Sequence, residues 1–193
     1  LAGLFFWMNI KLENIKKFNV SKPLKLDCGK TIKDFPIAYE TYGELNNEKT
    51  NAILVCHAIS GDSHVARHDK QDLPGWWDIM VGPGKSIDTD KYFVICSNVI
   101  GGCSGSTGPN SININTGKEF GSSFPVVTIE DMVSAQKLLI DYFGIKKLLC
   151  VTGGSMGGFQ SMQWSIQFPE KVESIIPIAT SPRLTNQALA LSL

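Results

Sequence analysis

The 193-residue chain carries no excess of either charge sign, because eighteen Lys and Arg residues balance eighteen Asp and Glu. Without a basic stripe there is no footprint for a phosphate backbone, so nucleic acid is not an expected partner. No apolar run approaches the ~20 residues of a membrane helix, and a membrane is not an expected partner either. Cysteine is sparse. Cys28, Cys56, Cys96, Cys103 and Cys150 are odd in number and include no C-x-x-C pair, which excludes a disulfide framework and a cysteine zinc site. That usage suits a reducing, cytoplasmic compartment. Disorder is excluded as well, since 43% of residues are hydrophobic and the net charge is zero.

What is present suits one domain with a substantial core. Leu1–Trp7 precede the first methionine and lack the basic start and cleavage site of a secretory signal. Residues 1–7 therefore read as a leader translated upstream of a start at Met8, and 8–193 as the N-terminal part of a single domain. The final run, Gln187–Leu193, is apolar and uncapped, as though cut within an element.

Between these ends, Leu24–Cys28 and Ile37–Tyr42 are short extended segments punctuated by Gly29, Pro36 and Gly43, predicting a β-hairpin or meander. Asn51–Ile59, Tyr92–Ile100, Lys147–Thr152 and Val172–Ala179 are apolar runs of the kind that form buried strands. Pro177 weakens the end of the last. Thr128–Phe143 opens with Thr128-x-x-Asp131 and keeps its apolar residues on one face, predicting a helix stopped by Gly144. Met156–Phe168, ended by Pro169, predicts a second. The expected class is α/β: a mostly parallel sheet with flanking helices, ending after about the sixth strand. Gly101–Pro125 is too long and too rich in glycine and asparagine for a plain connector, and reads as a functional loop.

Gly153-Gly154-Ser155-Met156-Gly157 matches G-x-S-x-G between a predicted strand and a predicted helix, the context of a nucleophile elbow. The turn is so tight that side chains at 153 and 157 would collide. It lifts the Ser155 hydroxyl to the carboxyl end of the sheet and aims the Met156 amide at a developing oxyanion. The second oxyanion donor comes from the loop after an upstream strand, here Cys56–Asp62, with the Ile59 amide as candidate. His57 precedes the serine, whereas a triad of this architecture runs Ser, acid, His; loop organisation suits it better than general base. His64 and His68 sit among Asp62, Arg67 and Asp69, where loose spacing favours a solvated loop over metal ligands. No metal is expected. Cys103, in the glycine-rich loop, could be reactive, but an unreactive thiol is the simpler reading.

After Ser155 the chain contains no His and no Asp, and its carboxylates there are Glu170 and Glu173. Glu170 follows Pro169 at the wrong point for a triad acid. A serine without a base is a poor nucleophile. The chain is expected to stop before its triad is complete.

Cys56–Asp62 (CHAISGD), Gly75-Trp76-Trp77 with Gly82-Pro83-Gly84, and Gly101–Asn113 (GGCSGSTGPNSIN) together resemble the homoserine O-acetyltransferases of the α/β-hydrolase superfamily. Thr116-Gly117-Lys118 with Phe124-Pro125, Thr128–Val133 and Gly153–Gly158 (GGSMGG) extend the resemblance across about residues 22–190. It implies a ping-pong acetyl transfer from acetyl-CoA to the homoserine hydroxyl, in methionine biosynthesis. Ser155 would be the nucleophile, with Ile59 and Met156 as oxyanion donors. Acetyl-CoA would be a co-substrate, no further cofactor is implied, and the full-length protein would be a homodimer. Succinyl-CoA as donor, serine as acceptor, and a serine esterase remain alternatives. The resemblance puts the triad Asp and His, and the arginine for the substrate carboxylate, well downstream. Thr180–Leu184 would be the entry to a helical lid, and Arg183 receives no substrate role.

Overall fold

This computed structural model describes residues 14–183, 186, 187 and 190. Residues 1–7, read above as a leader, and most of the run 187–193 lie outside the described residues.

The centre is a six-stranded sheet built from β1 (Lys16–Val20), β2 (Phe35–Tyr42), β3 (Ala52–Cys56), β4 (Phe93–Ser97), β5 (Cys150–Gly154) and β6 (Ile175–Ile178). Their spatial order is β1-β2-β4-β3-β5-β6. The pairs β4/β3, β3/β5 and β5/β6 are parallel, while β1 and β2 add antiparallel partners at one side. Every residue of β3 and β4 is buried, as continuous apolar runs require of central parallel strands. Cys56 and Cys96 in these strands, and Cys150 in β5, are packed as small hydrophobes.

The first expected strands pair differently from the sequence reading. Leu24–Lys25 form a short hairpin with Thr31–Ile32, whereas Phe35–Tyr42 pairs with Lys16–Val20. That partner had no apolar run to mark it, because an edge strand with Lys16 and Lys17 exposed carries little core. Pro177 is accommodated in β6, paired with Gly153, because β6 has one sheet neighbour among the described residues and can spare an amide.

Two helices, α1 (Ile129–Tyr142) and α2 (Met156–Gln167), pack on one face of the sheet. Thr128 caps α1 in a complete capping box: its hydroxyl accepts the Asp131 amide, and the Asp131 carboxylate accepts the Thr128 amide. Gly144, at φ +69°, supplies the stop. The opposite face departs from a sheet wrapped by helices. Its cover is the irregular segment 57–92, which contributes Val65, Ala66 and Val81 to a second core around Val55, Val94 and Cys96. The loop 101–125 contains a small hairpin, Ile112–Asn113 with Lys118–Glu119, and a 3-10 turn at Gly121–Ser123. Among the described residues no helix is long and apolar enough to cross a membrane.

Candidate active site

Ser155 stands between β5 and α2 at φ +55°, ψ −118°, in backbone space that a residue with a side chain rarely occupies. Such a conformation costs ~1–3 kcal/mol and persists only where its surroundings enforce it. Two contacts do so. The Ser155 amide donates to the Ile178 carbonyl of β6 at 3.0 Å, and the Gly158 and Phe159 amides return to the Ser155 carbonyl at 2.9 and 3.2 Å. The serine itself is solvent-exposed.

The flanking glycines bring the end of β3 against the turn. A Cβ on Gly157 would overlap the Cys56 carbonyl and lie 3.1 Å from the His57 carbonyl; one on Gly153 would overlap the same Cys56 carbonyl and approach Gly157 at 2.8 Å. The expected collision is therefore chiefly with the neighbouring strand, and it seats the loop 57–61 beside the elbow.

In that loop the Gly61 amide donates to the Ala58 carbonyl at 2.9 Å, closing a tight turn with Ile59 at its exposed corner. Neither the Ile59 amide nor the Met156 amide donates to another group among the described residues. His57 is buried with both ring nitrogens engaged. Nδ1 lies 2.7 Å from the Ala58 carbonyl, so it carries the proton, and Nε2 accepts the Val99 amide at 3.1 Å. Burial pushes its pKa down, outweighing the Ala58 bond and the Asp62 charge. A neutral imidazole occupied on both sides organises the loop, as its chain position suggested.

A chain of buried amides supports the same corner. The Trp164 indole donates to Gln136 Oε1 at 2.8 Å, and Gln136 Nε2 donates to Gln160 Oε1 at 2.7 Å. Gln160 Nε2 then reaches the His57 carbonyl at 3.4 Å and the Met156 carbonyl at 3.3 Å. Sequence reasoning missed both glutamines, since a polar residue within a helical pattern defaults to the solvent face.

The expected solvated loop holds for His68, which is exposed, and is corrected for His64, which is buried. Both turn onto Glu40 of β2, a fully buried carboxylate. His64 Nδ1 lies 3.1 Å and His68 Nε2 2.8 Å from Glu40 Oε2, and the Tyr42 hydroxyl donates to the same oxygen at 2.9 Å. Burial alone would raise the Glu40 carboxyl, but hydrogen bonds from His64 and His68 and the His64 charge bring it down to about 2. Burial would lower His64, yet Glu40, the Leu73 carbonyl and the Asp72 charge carry it up to about 9. A charged pair is therefore sealed under segment 62–73, where it holds that segment to the sheet.

Cys103 is exposed, as are Glu170 and Arg183. Glu173 pairs with Lys147. The described residues after Ser155 thus bring no acid or imidazole to the serine.

The alpha/beta hydrolase fold family matches residues 51–192. A homoserine O-acetyltransferase of Methanohalobium evestigatum is 60% identical over 176 residues, covering 91% of this chain and 36% of its own length. One from Mesorhizobium japonicum is 56% identical, with 91% and 46% covered. The chain thus spans less than half the length of these curated relatives. Among solved structures, homoserine O-acetyltransferase from Bacillus anthracis superposes with TM-score 0.83 at 40% identity, over 89% of this chain and 48% of that one. Esterase E22 follows at TM-score 0.80 and 40% identity, over 92% and 51%. With the strained serine turn, the strand order and the family match in agreement, the chain belongs to the alpha/beta hydrolase fold family.

Proposed function

We propose that this chain supplies the nucleophile half of a homoserine O-acetyltransferase. The observation that carries the proposal is the elbow: an exposed Ser155 held at φ +55°, beside two uncommitted amides, in a chain 60% identical to such an enzyme. The Ser155 Oγ attacks the thioester carbonyl of acetyl-CoA, an O–C bond forms, and the C–S bond breaks with CoA leaving as its thiol. The homoserine hydroxyl then attacks the acetyl-serine, giving O-acetylhomoserine and returning the proton to Ser155. The Ile59 and Met156 amides receive the oxyanion of each tetrahedral intermediate, with the N-terminus of α2 adding its dipole. The general base comes from the rest of the whole protein, because His57 is occupied and no His or Asp follows Ser155 in these residues.

A second reading, a serine esterase, is favoured by the likeness to esterase E22. One experiment separates the two. The full-length protein is incubated with acetyl-CoA, with and without L-homoserine, and CoA release and O-acetylhomoserine are followed. Release that depends on homoserine, with an acetyl group trapped on Ser155 in its absence, supports the transferase. Hydrolysis of p-nitrophenyl acetate with no O-acetylhomoserine supports the esterase.

A further inference from the structure

Glu40, His64 and His68 each offer one ligand atom, and the three atoms lie within 4.8 Å of one another. Acyl transfer at Ser155 makes no use of this cluster. Its hydrogen bonding has the form of a metal site. The His64 Nε2 lies 2.9 Å from the Leu73 carbonyl, to which it donates its proton, with an Asp72 carboxylate oxygen at 3.9 Å on the same side. That commitment aims Nδ1 at Glu40 Oε2, and a positive centre has to sit between them, either a proton or a cation. Ligating histidines are oriented this way, one nitrogen on the metal and the other on a carbonyl or carboxylate.

The dimensions also suit a small ion. Zinc bonds of ~2.0–2.1 Å in a tetrahedron set neighbouring ligand atoms about 3.3 Å apart. His64 Nδ1 and His68 Nε2 stand 3.1 and 2.8 Å from Oε2, close to that spacing. With all three atoms within 4.8 Å of one another, a small rotation of the partly exposed His68 ring closes the third side around the ion. Tyr42 at 2.9 Å on Oε2 and Ser63 at 3.4 Å on Oε1 can keep their bonds to the carboxylate. Glu40 and His64 are sealed, while the His68 side chain retains 23% exposure and gives the route of entry. Two imidazoles and one carboxylate are a nitrogen–oxygen donor set that favours zinc over magnesium or calcium.

We propose that Glu40, His64 and His68 form a zinc-binding site, separate from the serine elbow, that staples segment 62–72 to β2.

The test uses full-length protein stripped with a chelator, with its exposed thiols, Cys28 and Cys103 among them, blocked by iodoacetamide. Zinc is titrated by calorimetry and cobalt(II) by visible absorption. The expected result is one equivalent of zinc per chain, a melting temperature that rises with zinc, and four-coordinate cobalt bands without thiolate charge transfer. His68→Gln keeps a donor to Glu40 but removes a ligand. It is expected to weaken zinc at least tenfold while the metal-free melting temperature holds, and it carries the test even if His64→Asn fails to fold. Absence of a tight equivalent, thiolate bands in the cobalt spectrum, or unchanged zinc affinity in His68→Gln would each overturn the proposal and leave the cluster as a plain ion pair.

Discussion

The chemistry assigned to Ser155 depends on the shape of its backbone, and the residues that permit that shape are as testable as the serine. Ser155→Ala in the full-length protein should lower acetyl transfer by several orders of magnitude, because the turn presents no other hydroxyl. Peptide mass spectrometry after acetyl-CoA should place the label on Ser155, and a label on Cys103 instead would contradict the assignment. Gly157→Ala should cost about 1–3 kcal/mol, since its methyl group enters the Cys56 carbonyl. A melting temperature within error of the parent would mean that the strand and the turn are not in contact. The Cys56 thiol, pushed up to about 12 mainly by burial, stays protonated at ordinary pH. Iodoacetamide at pH 8 should therefore modify Cys28 and Cys103 and spare Cys56, Cys96 and Cys150, as read by intact mass. The elbow was legible because its glycines, strand and helix are contiguous. The Glu40 cluster was not, since its histidines lie 24 and 28 residues away and a lone glutamate in a strand gives no sign of burial.

At the scale of elements, α1 begins with more than its own capping box. The Thr128 hydroxyl also donates to the Asp27 carboxylate at 2.6 Å, and the Asp27 amide donates to the Asp131 carboxylate at 3.0 Å. The helix start is thus tied to the segment before β2. Thr128→Ala should destabilise the protein by about 1–2 kcal/mol, the upper range for a cap, and lower the melting temperature by several degrees. Thr128→Ser should recover most of that loss. The box itself was readable four residues at a time, whereas Asp27 joins it only in three dimensions. Buried strands were readable for a similar reason: a run such as Ala52–Cys56 has no polar face to offer water. β1 and the 57–92 cover were not, because neither is periodic. The first has little core, and the second covers the sheet with turns held by their own hydrogen bonds.

For the molecule as a whole, the two sheet edges differ in kind. β1 ends the sheet with exposed Lys16 and Lys17, a charged border that discourages pairing. β6 ends it, among the described residues, with Ile176 at 55% and Ile178 at 39% exposure. The 193-residue chain should therefore self-associate in a concentration-dependent manner, and Ile176→Lys should reduce this in sedimentation velocity; a monomer in both proteins would show that β6 is not adhesive. The same chain should show no acetyl-transfer turnover above its Ser155→Ala variant. An unassisted serine with an oxyanion hole retains only ~10³–10⁴-fold over water, against ~10⁶-fold or more for an enzyme. Turnover that requires Ser155 would reveal a base inside these residues, His57 first. The bond from the Ser155 amide to the Ile178 carbonyl has a consequence for biosynthesis. A nascent chain that has extruded the serine but still shelters residue 178 in the ribosomal tunnel lacks the clamp that enforces the strained turn. The strained turn is thus enforced only after the strand beside it has emerged, and limited proteolysis of chains stalled on either side of that point should switch from cleavage to protection at the elbow.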